Sequence, residues 1–344
     1  MSSRLPFWEG VRGICILAVI LIHSTMNFNY IAHDEEYVIN WIVLRKVIDF
    51  PVAVFIFLSG LFAKSAKLFN LNHQSNWNWI KKRGGRLLLP YCIWFCFYLL
   101  IKALHNSNGI QGNVQSFIVL FVSGKIAAPF YYIIVLWQLT LITPIIERCI
   151  YRCSYVRWCL HFITPIALGF NYYWEFSGLH SEFYFTVSTF FIWFEFYYLG
   201  MLVSTKEKYT LLFFHKIQKI HVIVLLSLSI IESIFLYIQW NDASFAVSQN
   251  TIGTYFYTFG LISLFLRFSK NWFHKEKLWN LFVKIGNCSY GIFYVHMIAI
   301  YCFEKIASEF NLAGNWYLYS CFVFFLTAIS SFGVVLVVQK ILRK

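Results

Sequence analysis

Residues 316–338 read WYLYSCFVFFLTAISSFGVVLVV, 23 consecutive positions without a charged side chain. A bilayer's hydrocarbon core is about 30 Å thick and an α-helix rises about 1.5 Å per residue, so this run is long enough to cross one. Working outward from it, apolar runs of helix length recur along the chain at 10–28, 47–63, 87–104, 128–146, 156–173, 183–203, 220–240, 251–268 and 286–304. The alternation over about ten residues that a membrane β-barrel requires is not the dominant pattern. The sequence therefore predicts an all-α polytopic membrane protein of about ten transmembrane helices in one bundle. A further run, Val114 to Val122, is too short to cross and is expected to lie at the interface or to re-enter.

Composition points the same way. Of 344 residues 59% are hydrophobic and only 12% charged, against about a quarter charged in soluble domains. Ten spans leave connections too short for a separate soluble domain, so residues 4–340 are expected to form one transmembrane domain. The net charge of +13 does not mark a nucleic-acid-binding protein, because the lysines and arginines fall in short clusters between apolar runs. With the N-terminus taken as cytoplasmic, 23 of them lie in segments on that side and five, Arg45, Lys46, Lys102, Lys125 and Lys305, on the other. Lysine and arginine flanking spans stay in the cytoplasm, so both termini are expected there. The outer segments instead carry Asp34, Glu35, Glu36, Glu175, Glu182 and Asp242. The first run follows Arg4 but lacks a short apolar region closed by a cleavage site, and reads as a retained helix.

Nine cysteines include Cys92/Cys96 and Cys149/Cys153 at one-turn spacing but no Cys-x-x-Cys pair. They read as small packing hydrophobes, and no metal site is expected. Neither a glycine-rich phosphate loop nor a Ser-His-Asp arrangement is legible.

An ionisable group inside a span is costly and marks a candidate functional site. The first span holds Glu9, Arg12 and His23. An eleven-residue step returns nearly to the same helical face, which places Arg12 and His23 on one side about 16 Å apart. Two readings fit this spacing: an interfacial Glu9–Arg12 pair with His23 hydrogen-bonded in the core, or a working set. Glu195 and Glu232 lie in the sixth and seventh spans, where each needs a partner such as His161, His221 or the other carboxylate. Ser59-Gly60 reads as a close helix contact.

Four segments together are recognisable. Trp8-Glu9-Gly10-Val11-Arg12-Gly13, nine further residues and His23-Ser24 resemble the opening signature of membrane acyltransferase family 3, an arginine and a histidine separated by ten residues. Pro51 to Phe62, with its aromatic run ending in Ser59-Gly60, is similar to that family's second helix. Lys81-Lys82-Arg83-Gly84-Gly85-Arg86 matches its Arg-x-x-Arg lead-in to the third, and Ser289-Tyr290-Gly291-Ile292-Phe293-Tyr294-Val295-His296 its late Ser-Tyr-Gly-Ile-Tyr-x-x-His motif. The resemblance runs from about residue 4 to 340, and in plan it is similar to the family's single-domain O-acetyltransferases of surface polysaccharides, such as that of enterobacterial common antigen. The chain departs from the family by carrying Glu9 in place of aspartate, and Pro129-Phe130-Tyr131-Tyr132 where many relatives have His-Leu-Trp.

The resemblance implies a bacterial inner-membrane O-acyltransferase that moves an acyl group, acetyl first among them, from cytoplasmic acyl-CoA to a hydroxyl of a cell-surface glycan or its lipid-linked precursor. It implies catalytic roles for His23, Arg12 and Glu9, cofactor binding by Arg83, Arg86 and Lys82, and gives weight to Tyr290 and His296 beside Glu195. The chemistry suits the residues. Arginine's planar fork matches phosphate, although positive-inside anchoring explains Lys81 and Lys82 equally well. A neutral imidazole at His23 can take a proton from a hydroxyl or carry the acyl group itself. The 16 Å step from Arg12 is about the length of a pantetheine arm. The rival class is a transporter or flippase, although no internal repeat with paired broken helices is visible.

Overall fold

The computed structural model describes residues 5–26, 35–63, 73–105, 114–152, 154–177, 189–205, 216–240, 243–271, 277–312 and 315–342. Among them every regular element is helical: α1 (Leu5–Ser24), α2 (Glu35–Ile48), α3 (Pro51–Leu61), α4 (His73–His105), α5 (Val114–Ser123), a 3-10 turn (Ala128–Phe130), α6 (Tyr131–Arg152), α7 (Ser154–Leu160), α8 (Ile163–Phe176), α9 (Phe190–Ser204), α10 (Lys219–Trp240), α11 (Ala243–Ala246), α12 (Ile252–Asn271), α13 (Lys277–Glu309) and α14 (Trp316–Leu342). Asp34, Glu182, Asp242, Cys153 and the start of the sixth run, 183–188, lie outside the described residues.

Where the apolar runs fall on described residues they are largely helical, with 47–63 broken before Pro51 and 156–173 divided between α7 and α8. Among the described residues, five helices are long and apolar enough to cross a membrane: Pro6–Ser24, Asn76–Leu104, Ala128–Ile150, Lys219–Trp240 and Trp316–Leu342. α3, α8 and α9 are shorter, and α12 and α13 are long but interrupted by polar residues such as Thr254, Thr258, Asn287 and His296. α10 exposes Ile223, Leu228, Ile231, Phe235 and Ile238, a contiguous apolar face that requires lipid as its solvent. This is a membrane protein.

The run 47–63 is not continuous helix. Pro51 restricts Phe50 and cannot donate a backbone hydrogen bond, so the helix breaks at Asp49-Phe50 and restarts with proline in the first turn. What precedes the break is a separate helix, α2, where the apolar pattern predicts only a connection between spans. Arg45 and Lys46, two of the five cations expected on the outer side, are on α2 and buried. The basic cluster Lys81 to Arg86 is likewise helical, on the N-terminal part of α4.

The chain divides into two compact units, Met1–Phe55 with Leu212–Lys344, and Ile56–Leu211. In the first, α1 runs beside α13. A Cβ on Gly13 would strike the carbonyl of Phe282, and one on Gly286 the carbonyl of Glu9. Gly10 lies on the Trp279 ring, on which Phe7 stacks at 5.6 Å. Partner numbers rise together along both helices, so α1 and α13 are parallel. α10 and α12 are antiparallel, with Gly253 against Ser229 and Gly260 against Val222.

In the second unit α9 is buried along nearly its whole length. Gly60 of α3 meets the Tyr197 carbonyl, and Gly200 of α9 meets that of Phe57. The contact read from Ser59-Gly60 is therefore a reciprocal glycine crossing. From α6, the Thr143 hydroxyl bonds the Tyr197 hydroxyl at 2.8 Å. From α8, the Thr164 hydroxyl donates to the Phe191 carbonyl at 2.9 Å.

Candidate active site

In the first unit, α1 carries polar groups at both ends. Near its start, Arg12 Nη1 donates to Glu9 Oε1 at 2.9 Å, with 32% and 18% of the two side chains exposed. The Glu9–Arg12 pair is present, one turn apart as the spacing requires. Near its end sits His23, half-buried, with the ring of His296 on α13 at 5.6 Å between centroids. His296 is fully buried, and its Nδ1 lies 3.1 Å from the Ile292 carbonyl oxygen.

Beside this end of α1 lies a cluster that the sequence pattern does not predict. Arg45 Nη1 reaches the carbonyl of Ile22, the residue before His23, at 3.5 Å. The same guanidinium is held by Asp49 through Nε at 3.2 Å and Nη2 at 3.1 Å. Lys46 Nζ lies 3.7 Å from the other Asp49 oxygen and donates to the Ser248 carbonyl and to the hydroxyls of Thr251 and Thr254. Lys46 and Asp49 are 0% and 1% exposed, so two cations and one carboxylate are buried together, with neutral oxygens taking the remaining donors. This arrangement satisfies charges that would otherwise be prohibitive in an apolar interior. The sequence signal was the spacing of Asp49, four residues after Arg45 and three after Lys46, within an apolar stretch.

Tyr290, also on α13, is 42% exposed and its hydroxyl lies 3.2 Å from that of Tyr294. Six residues separate it from His296, about a third of a turn off that face.

The basic cluster belongs to the second unit, where its members differ. Arg83 turns inward: its Nη2 donates to the Ser59 carbonyl at 3.0 Å, and its guanidinium lies 5.2 Å from the Trp79 ring and 6.0 Å from that of Tyr197. In the last turn of α3, Phe62 and Ala63 take the carbonyls of Leu58 and Gly60, leaving Ser59 to Arg83. A cation at a helix C-terminus also complements the dipole. Lys82 and Arg86, four residues apart, are exposed on the same face. Lys81 is exposed over the Trp77 ring at 5.3 Å. Of the partners expected for Glu195, the structure brings His161: Nδ1 to Oε1 is 2.8 Å, and the carboxylate is 3% exposed. Glu232 is separate and accepts the Gly253 N–H at 2.7 Å.

The acyltransferase domain family model matches residues 5–336. The chain belongs to this acyltransferase family. No curated protein and no solved structure matches it. The match spans both units, so this acyltransferase draws its family likeness from α1 through α14. Within it the glycines of the opening signature have a packing role: Gly10 and Gly13 let α13 approach the same helix that carries Arg12 and His23.

Proposed function

We propose that this acyltransferase moves an acetyl group from cytoplasmic acetyl-CoA to a hydroxyl of a cell-surface glycan or lipid-linked glycan precursor, within a bacterial inner membrane. The observation that carries this reading is His23: a titratable ring in a helix able to cross the bilayer, spaced from Arg12 as in the family's signature, with a second imidazole beside it. His23 acts as base. The hydroxyl oxygen attacks the thioester carbon, the C–O bond forms, the C–S bond breaks, and the proton passes through His23 to the departing thiolate. Free coenzyme A and the ester are the products.

Arg12, held by Glu9, meets the donor or orients the attacking group. Lys82 and Arg86 contact the phosphates of the donor, supported by their exposure and shared face. Ten crossings with both termini in the cytoplasm fit the charge distribution, and the parallel run of α1 and α13 suits a first and a ninth crossing, which share a direction. Purified protein in detergent, given acetyl-CoA and a glycan extract, should release free thiol and acetylate the glycan. Absence of acceptor-dependent thiol release across extracts of lipid-linked and polymeric glycans would overturn the reading.

A further inference from the structure

Two imidazoles face each other in the first unit, and one of them has an unmade hydrogen bond. His296 Nδ1 is 3.1 Å from the Ile292 carbonyl oxygen, one turn back on its own helix. A carbonyl only accepts, so Nδ1 carries the proton and Nε2 is left with a lone pair. That Nε2 is buried and has no hydrogen-bond partner among the described residues. Buried acceptors are rarely left unmade, so the direction of this one is informative. With Nδ1 turned back onto the backbone of α13, Nε2 on the opposite side of the ring is turned away from it, and the His23 ring of α1 lies alongside at 5.6 Å. At this spacing ring nitrogens can meet directly or through one water.

The pairing is built into the helix crossing. Gly13 packs at the end of α13 that holds Gly286, and ten residues onward on each helix stand His23 and His296. Two parallel helices in backbone contact keep that register.

We infer that His296 positions His23 for the proposed transfer, its Nε2 lone pair accepting the ring N–H of His23. This rests on the reading of His23 as base. The bond fixes which His23 nitrogen bears hydrogen and leaves the other unprotonated toward the reacting hydroxyl. During transfer the hydroxyl proton goes to that unprotonated nitrogen and on to the thiolate sulfur, while the N–H shared with His296 stays in place. His296 gains and loses no proton and acts through His23, as the orienting partner of a catalytic histidine does.

The test uses full-length protein labelled with 15N at histidine, in detergent, with His23 signals assigned by their loss in His23→Asn. Wild-type His23 should show one neutral tautomer. His296→Phe, which keeps a ring and removes the lone pair, should show both in exchange, and His296→Gln, whose side-chain oxygen accepts, should restore one. In coenzyme A release from acetyl-CoA with glycan extract, His296→Phe should lower kcat by about tenfold or more while leaving KM for acetyl-CoA within about twofold. Exchanging tautomers at wild-type His23, or a single retained tautomer in His296→Phe, would overturn the inference. Activity surviving in His23→Asn would instead remove the catalytic reading and leave the tautomer result to stand alone.

Discussion

Gly286 of α13 lies directly on the backbone carbonyl of Glu9 in α1, with no space for a methyl group between them. The obstructing atom is backbone, so accommodation means moving a helix. Gly286→Ala is therefore expected to destabilise the protein by about 1–3 kcal/mol through overpacking, read as a lowered Tm in detergent. Because the same crossing sets His23 against His296, turnover should fall as well. Gly169→Ala, on α8 with nothing within 4 Å of its added methyl, is the control, expected to be neutral or slightly stabilising. Equal Tm values for the two variants would remove the crossing from the account.

A second expectation concerns Asp49, the carboxylate that Arg45 and Lys46 share inside the protein. Asp49→Asn keeps the shape and leaves two buried cations without their anion. Breaking a buried ion pair in this way costs about 3–5 kcal/mol, so the variant should lose most of its folded yield or show a sharply lowered Tm. A wild-type unfolding profile would show that the cluster is solvated.

The contrast between these two sites shows what sequence can carry. The helices were legible because burial in lipid demands long apolar runs, and the glycine contact at Ser59-Gly60 was legible because small residues mark close crossings. α2 was not, since Arg45 and Lys46 read as loop cations until Asp49 is seen to be within reach of both. The packing of Arg83 was not legible for a related reason: its partner, the Ser59 carbonyl, is 24 residues away, and a carbonyl at a helix end has no sequence signature. Glu195 was recognised as needing a partner, but only the fold selects His161. His296 entered through a motif alone, and its orphan nitrogen and its neighbour His23 appear only in three dimensions.

A third pair of variants separates work from structure along α1. Arg12 and Glu9 form a part-exposed bond, and such pairs contribute about 1 kcal/mol or less. Arg12→Ala should thus fold almost as well as wild type yet lose acyl transfer, as should His23→Ala. The measurements are Tm, membrane insertion and acceptor-dependent thiol release for each. Near-wild-type turnover in His23→Ala would sink its assignment as the base, and unchanged kinetics in Arg12→Ala would reduce Arg12 to a topology anchor.

The last prediction splits the two arginines of α4. Arg83 is committed to the Ser59 carbonyl and to the rings of Trp79 and Tyr197, so Arg83→Gln should act first on stability, lowering Tm. Arg86 and Lys82 are exposed on one face. If they hold the donor's phosphates equally before and during the transition state, Arg86→Gln should raise KM for acetyl-CoA more than it lowers kcat, because uniform binding is what is lost. Charge-assisted bonds to phosphate are strong enough for an effect of about tenfold. Raised salt should reproduce part of it, as exposed charge pairs are screened over about 10 Å. Steady-state kinetics of each single variant against acetyl-CoA concentration, at low and high salt, makes the comparison. A KM unmoved by Arg86→Gln and by salt would return Lys82 and Arg86 to plain positive-inside anchors, whereas a KM effect confined to Arg83→Gln would mean that its bond to Ser59 opens when the donor binds.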